Sequence, residues 1–180
     1  MFKNLIIVEN SSGQSSQAHV FFGKEATLGI RVVLKQYIGA KKKGIMAEIK
    51  LFTLIELFRQ EQTKSEQLKS HIGECMALKG LPIMLAYKVS RDYSEILMTH
   101  AGNNIETWMN MLKSREDRVK LAAKMLKQGI SAIKVLHDLG YAHGDLKPEN
   151  ICARKTKNGK FKFSIIDFGI CQRLPDINVV

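Results

Sequence analysis

Residues 143–150 and 167–169 place two carboxylates, an amine and an amide on either side of a predicted β-hairpin. The two strand-like runs of this hairpin are joined by Asn158-Gly159, a favoured sequence for a two-residue type I′ turn. A turn at that position would place Asn150 directly opposite Asp167, where the hairpin opens. The pattern therefore predicts that these two side chains share one site, although they are far apart in the sequence.

The side chains around this hairpin suit the binding of a cation and the handling of a proton. Asp145 can accept a proton from a hydroxyl group, and Lys147 lies two residues further along. Asn150 and Asp167 offer oxygen atoms, the ligands that a hard cation such as Mg²⁺ prefers. The plain alternative is a surface hairpin whose polar residues only end the strands. Asp145 and Lys147 beside the hairpin favour a metal site.

The hydrophobic pattern along the chain predicts an α+β fold in two parts. Strands are expected at 3–8, 18–23, 30–37, 83–89 and 93–98, and a helix at 45–58. The polar stretch 59–70 is either a continuation of that helix or an inserted loop. Gly102-Asn103-Asn104 breaks the chain, so we divide it into residues 1–101 and residues 102–180.

Two further helices are predicted in the second part, at 105–112 and 115–139. The longer one has apolar residues at helical spacing, which places them on one face of the helix. These residues are Val119, Ala122, Leu126, Ile130, Ile133 and Leu136.

Composition narrows the classes of partner and compartment. No stretch approaches the ~18 apolar residues of a membrane span. The three cysteines lie in no metal-ligand spacing, which predicts reduced thiols and an intracellular, cytoplasmic or nuclear location. The net charge of +11 favours an acidic or pre-phosphorylated partner, and no nucleic-acid motif accompanies it. The sequence indicates no oligomeric state.

Taken together, these motifs resemble those of eukaryotic protein kinases of the serine/threonine type, from Gly13 to about Arg173. Residues 143–150 resemble the catalytic loop, and Asp167-Phe168-Gly169 resembles the magnesium-binding motif. The resemblance implies a bilobal fold, with an antiparallel N-lobe sheet, an αC helix and the first part of a helical C-lobe. It also implies ATP and Mg²⁺ as cofactors and a protein as substrate.

The same resemblance implies roles for individual residues of the catalytic loop. Asp145 would be the catalytic base, and Lys147 would be the lysine beside the transferred phosphate. Asn150 and Asp167 would be the magnesium ligands.

The first part of the chain carries the residues that would bind the nucleotide. Val32-Val33-Leu34-Lys35 resembles the strand whose lysine binds the α- and β-phosphates. Gly13 and Val20 match the first and last positions of the Gly-rich loop, whereas Ser15 and Ala18 replace its other glycines. Because Cβ atoms limit the approach of backbone N–H groups to phosphate, we expect weaker nucleotide binding.

Two glutamates compete to pair with Lys35. Choosing Glu48 leaves the polar stretch 59–70 as an insertion before the next strand, whereas choosing Glu74 requires a long insertion before the helix. We favour Glu48.

The segment around Met98 resembles a kinase hinge. Met98 would be the gatekeeper, and the backbone of Thr99 and Ala101 would meet the adenine edge. Gly102-Asn103-Asn104-Ile105 and the long hairpin are similar to those of the casein-kinase-one group, including its vaccinia-related branch.

The chain also departs from the family pattern. Gly144 replaces the usual arginine before the catalytic aspartate, so we expect activity that does not depend on loop phosphorylation acting through this residue. The sequence ends soon after the Asp-Phe-Gly motif, which predicts a C-terminally truncated kinase. The alternative is a catalytically impaired pseudokinase or a binding module of kinase fold.

Overall fold

The computed structural model describes residues 5–15, 18–27, 29–38, 42–65 and 80–175. Contacts divide the chain into two compact units. The first comprises Met1–Leu57 and Ile83–His100, and the second comprises Phe58–Pro82 and Ala101–Val180. No helix in the described part of the chain is both long enough and apolar enough to cross a membrane.

The first unit contains a five-stranded antiparallel sheet with the order β1-β2-β3-β5-β4. Its strands are β1 (Leu5–Ser15), β2 (Ala18–Glu25), β3 (Ile30–Ile38), β4 (Met84–Val89) and β5 (Tyr93–Thr99). Four of the five match the predicted strands within two residues at each end. β1 runs much further than expected, to Ser15, because it pairs with β2 as far as Ser15 and Ala18.

Helix α1 (Lys42–Ser65) follows β3 and continues well beyond the predicted end at residue 58. Its polar second half is rich in Gln, Glu and Lys, which are good helix formers. Residues 59–65 are therefore a helix extension, and residues 66–70 lie outside the described part. The buried side of the first half repeats at helical spacing. The buried residues are Ile45, Glu48, Ile49, Leu51, Phe52 and Ile55.

The side chains of β3 alternate between the two faces of the sheet, as the period of a strand requires. Val32 and Leu34 pack with Leu97 of β5 on one face. Lys35 and Tyr37 lie on the other face, and both contact Glu48 of α1. The strand thus combines an apolar core face with a face that carries polar groups against a helix.

The second unit combines two longer helices with short strands. Along the chain these elements are β6 (Asn103–Asn104), α2 (Ile105–Met111), α3 (Arg115–Asp138), β7 (Tyr141–Ala142), a 3-10 turn (Pro148–Asn150), β8 (Ile151–Lys155), β9 (Phe161–Ile165) and β10 (Gln172–Arg173). Strands β6, β8 and β9 form one sheet, and β7 pairs with β10. Both helices match their predicted bounds to within one residue.

The caps of α2 and α3 account for these sharp boundaries. The Asn104 side chain accepts a hydrogen bond from the Thr107 N–H at 2.8 Å, and the Ser114 hydroxyl accepts one from the Asp117 N–H. Gly140, with φ +79°, lies just beyond the end of α3.

The apolar face of α3 is largely exposed. Val119, Leu126 and Ile130 are 60%, 59% and 64% exposed, whereas Leu136 of the same set is buried, as are Leu121 and Ala132. A polar residue, Gln128, lies on the side of α3 that packs on the hairpin. The Gln128 amide donates to the Phe161 carbonyl at 3.1 Å and accepts from the Phe163 N–H at 3.2 Å. It thereby satisfies backbone groups of the hairpin that packs there.

The predicted register of the β8–β9 hairpin was wrong by one residue. Ile151 pairs with Ile165, and the Ile166 N–H donates to the Asn150 carbonyl at 2.9 Å, so Asn150 lies opposite Ile166 rather than Asp167. A type I′ turn needs positive φ at both central residues, but of Asn158-Gly159 only the glycine has it. The Thr156 hydroxyl forms two hydrogen bonds with the Lys160 backbone. These bonds close the loop in a strand register that differs by one residue from the predicted register.

Candidate active site

In the first unit, Lys35 of β3 and Glu48 of α1 form a buried ion pair. The Lys35 Nζ lies 3.2 Å from Glu48 Oε1 and 3.1 Å from Oε2. Lys35 is 8% exposed and Glu48 is completely buried. Breaking such a pair by removing one partner leaves an uncompensated buried charge, which is strongly unfavourable. Of the two candidate partners of Lys35, Glu48 makes the contact, and Glu74 lies outside the described residues.

Tyr37 is a third member of this group that the sequence analysis missed. Its hydroxyl donates to Glu48 Oε2 at 2.6 Å, and the Lys35 Nζ lies 5.4 Å from the centre of its ring. Burial and then the negative charge of Glu48 raise the pKa of Tyr37 far above its ordinary value, so the hydroxyl keeps its proton. Its position in the sequence was the available signal. Tyr37 lies two residues after Lys35, and it is therefore on the same face of β3.

The proposed adenine-binding segment begins at the end of β5. Met98 is buried and pairs with Val33 of β3. The Thr99 N–H donates to the Ile83 carbonyl at 2.9 Å, and the Ile83 N–H donates to the Thr99 hydroxyl at 3.0 Å. Because the Thr99 N–H is already engaged, its carbonyl is the atom that could accept a hydrogen bond from an adenine amino group. Ala101 is half-buried and opens the second unit.

The predicted phosphate-binding hairpin consists of β1 and β2. Gly13 lies within β1, and Val20 is half-buried and pairs directly with Lys35 across β2 and β3. Residues 16 and 17 lie outside the described part of the chain.

In the second unit, two of the predicted side chains, Lys147 and Asn150, bind the same carboxylate oxygen of a third, Asp145. The Lys147 Nζ lies 2.6 Å from Asp145 Oδ2, and the Asn150 amide nitrogen donates to the same atom at 3.1 Å. The Asn150 amide also donates to the Asp145 carbonyl at 2.9 Å. The hydrogen bond from Lys147 lowers the pKa of Asp145 below its ordinary value, and that of Lys147 is raised chiefly by the same bond. The carboxylate is therefore ionised at neutral pH.

Asn150 and Asp167 remain the candidate metal ligands. The Asn150 side chain is buried, and its nitrogen is directed to Asp145, so its amide oxygen is the atom left to bind a cation. Asp167 has φ +68°, a left-handed conformation that Asp tolerates better than most residues. Asp145 and Glu149 raise the pKa of Lys147, and the negative charge of Asp167 raises it further. The Asp167 carboxylate is thus within electrostatic range of Lys147.

His143 and Phe168 hold the catalytic loop against the end of β9. The His143 Nδ1 accepts from the Asp145 N–H at 3.2 Å, so its Nε2–H donates to the Ile166 carbonyl at 2.9 Å. The His143 and Phe168 rings meet edge to face at 5.5 Å, and Phe168 is completely buried. The sequence analysis assigned neither residue a role, although both belong to the motifs it used.

Gly144 has a backbone reason to be glycine. Its φ is +81°, and a Cβ added there would lie 2.7 Å from the Ile170 carbonyl oxygen. A side chain at this position would force the segment after Asp167-Phe168-Gly169 to move.

The donor set fits Mg²⁺ bound jointly with phosphate. Both candidate ligands offer oxygen, as a hard cation requires. The part of the chain that the structure describes contains no group of three or more His, Cys, Asp or Glu residues able to hold a metal. Mg²⁺ commonly takes only one or two protein ligands, and substrate phosphates and water supply the others.

Comparisons with known proteins agree with the motifs. Residues 13–178 match the family described as "Protein kinase domain". The chain is also similar to "Probable serine/threonine-protein kinase 2" of Plasmodium falciparum (isolate K1 / Thailand), with 27% identity over 180 residues. That match covers 99% of this chain and 31% of the relative, so the chain spans about a third of the relative's length. The predicted α+β kinase-like fold is confirmed, and the chain belongs to the protein kinase family.

Proposed function

We propose that the chain acts as a protein serine/threonine kinase, or as the corresponding part of one, and transfers the γ-phosphate of ATP to a protein hydroxyl. The observation that carries this proposal is the ionised Asp145 carboxylate. It is oriented by Lys147 and Asn150 at a single oxygen. The other oxygen of Asp145 can then accept a hydrogen bond from a substrate hydroxyl.

Residues of the predicted N-lobe, 1–101, would bind the nucleotide. In this proposal, Lys35 binds phosphate oxygens of ATP and Glu48 orients its ammonium group. Gly13 and Val20 belong to the β1–β2 hairpin, which would cover the phosphates. The Met98 side chain and the backbone of Thr99 and Ala101 contact the adenine.

Asn150 and Asp167 would hold Mg²⁺, which supplies positive charge that neutralises the β- and γ-phosphate oxygens. Lys147 contributes a second positive charge, and its raised pKa keeps it protonated at neutral pH. These positive groups stabilise the charge of the transferred phosphoryl group in the transition state. Asp145 accepts the proton of the substrate hydroxyl, and the same hydrogen bond orients this hydroxyl for in-line attack.

The charge of the chain supports an acidic or pre-phosphorylated protein as substrate, since the net charge is +11. Its free thiols at Cys152 and Cys171 suit a cytoplasmic or nuclear compartment, while Cys75 lies outside the described residues. The sequence Gly102-Asn103-Asn104-Ile105 and the long hairpin are the features that support a relationship to the casein-kinase-one and vaccinia-related group. In this proposal, residues 1–101 act as the N-lobe and residues 102–180 as part of the C-lobe.

A catalytically impaired pseudokinase or binding module is the second candidate. Ser15 and Ala18, which replace two glycines of the phosphate-binding loop, favour it. They form the last strand pair before the tip of the hairpin, where Cβ atoms would limit contact with phosphate.

Thermal unfolding with and without nucleotide distinguishes the two candidates. ATP with Mg²⁺ at about 100 times its Kd should stabilise the folded state by about 2.7 kcal/mol. For a chain of this length we expect Tm to rise by roughly 5–10 °C. Asp167→Asn should lose the part of the shift that depends on Mg²⁺, whereas Asp138→Asn, on the surface of α3, should keep it. No shift at millimolar ATP would contradict the kinase proposal and favour the binding module.

A further inference from the structure

We propose that Tyr37 is a positioning residue that keeps Glu48 in place while Lys35 binds the phosphates of ATP. The consequence for ATP rests on the proposed function of Lys35, whereas the positioning of Glu48 does not. Tyr37, Lys35 and Glu48 all lie in the first unit, on β3 and the first half of α1.

The hydrogen bond between Tyr37 and Glu48 is the shortest contact of the three-residue group. Its 2.6 Å length is typical of a charge-assisted bond between a hydroxyl and a carboxylate. The Lys35 Nζ is almost equidistant from both oxygens of Glu48, at 3.2 and 3.1 Å. Glu48 Oε2 therefore has two donors, and the tyrosine is the closer one.

A second donor matters because Glu48 is completely buried. A buried carboxylate is costly unless it is paired and hydrogen-bonded. When Lys35 donates some of its hydrogen bonds to phosphate, it compensates the buried negative charge of Glu48 less fully. The Tyr37 hydroxyl stays hydrogen-bonded to Glu48 Oε2. It therefore lowers the free-energy cost of leaving this carboxylate less well paired while Lys35 binds a ligand.

The surroundings of Tyr37 fix its hydroxyl at this position. The residue is 3% exposed, and on β5 it pairs with Ser94, which is also buried. Its ring lies beside the Lys35 ammonium at 5.4 Å, close enough for a cation–π contact. The ring therefore contributes packing and the hydroxyl contributes the bond to Glu48. These two contributions separate cleanly in a Tyr37→Phe variant, which keeps the ring.

A double-mutant cycle tests the proposal through the KM for ATP. Tyr37→Phe should raise this KM by about 5- to 20-fold, the effect of losing a hydrogen bond to a charged group, and change kcat less than about twofold. In the Glu48→Leu background, which has no acceptor for the Tyr37 hydroxyl, the same substitution should change the KM by less than about twofold, because Tyr37 acts through Glu48. Tyr87→Phe is the matched control, since Tyr87 lies on β4 of the same sheet and is 52% exposed.

A second measurement tests the positioning of the ion pair without ATP. The reaction of the Lys35 amine with an acylating reagent, followed by peptide mass spectrometry, should be about 3- to 10-fold faster in Tyr37→Phe than in the wild type, because a weakened ion pair exposes the amine. Lys134 on the surface of α3 serves as the internal reference.

The outcomes separate this inference from the proposed function. Equal labelling of Lys35 in both proteins, or equal effects of Tyr37→Phe in both Glu48 backgrounds, would overturn the role of Tyr37. Faster labelling of Lys35 in a protein that does not bind ATP would support the positioning role and reject the proposed function.

Discussion

Replacing Asp145 with Asn is expected to lower kcat for phosphate transfer by about 10²- to 10⁴-fold, the usual contribution of a positioned acid–base group. An amide has almost the same shape as the carboxylate but cannot accept the proton of the substrate hydroxyl. Asp145 is held by Lys147 and Asn150, so the amide should remain close to its place. The affinity for ATP should stay within about threefold of the wild type, because Asp145 acts on the hydroxyl and not on the nucleotide.

This result is best measured as initial rates of phosphate transfer together with ATP binding by calorimetry. Asp138→Asn is a suitable control, because it also removes a carboxylate bonded to a lysine, Lys134, but on the surface of α3. It should leave both quantities unchanged. Transfer by Asp145→Asn within threefold of the wild-type rate would reject the assigned role. A parallel loss of ATP binding would indicate that Asp145 has a structural role instead.

Replacing Gly102 with Ala is expected to lower the free energy of unfolding more than the same replacement at Gly140. The added Cβ would lie 2.1 Å from the Ala153 carbonyl oxygen, and φ at Gly102 is +105°. The same carbonyl accepts a hydrogen bond from the Trp108 indole at 2.7 Å, so it cannot shift without a further loss. Backbone strain and the steric clash together should lower the free energy of unfolding by about 2–5 kcal/mol.

Urea unfolding of Gly102→Ala and Gly140→Ala separates the two contributions. Gly140 also has positive φ, +79°, but an added Cβ would meet no atom within 4 Å. The Gly140 variant should therefore lose only the backbone contribution, about 1–2 kcal/mol. Equal losses in the two variants would show that the close approach of Gly102 to β8 does not affect stability.

The candidate catalytic side chains could be placed together from the sequence because they are close neighbours in the chain. Asp145, Lys147 and Asn150 lie within six consecutive residues, and the local backbone alone brings them together. The pairing of Lys35 with Glu48 was also accessible, because a strand lysine and a buried helix glutamate each lie on a face that periodicity predicts.

Other features depended on contacts that periodicity does not encode. The hairpin register failed because hydrogen bonds of the Thr156 side chain determine how the loop closes. Periodicity placed the apolar residues of α3 on one face, but it did not show that the polar Gln128 packs against the hairpin. Tyr37 was overlooked because a tyrosine in a strand is typical of a core residue, and only the structure places its hydroxyl on Glu48.

The two bonds of Gln128 have a consequence for the alignment of the candidate metal ligands. Its amide holds the Phe161 carbonyl and the Phe163 N–H of β9 at the same time. A shift of β9 by one residue along β8 would break both bonds and carry Asp167 past Asn150, which ends the 3-10 turn before β8. Gln128 would thus help to keep the two candidate oxygen donors aligned with each other.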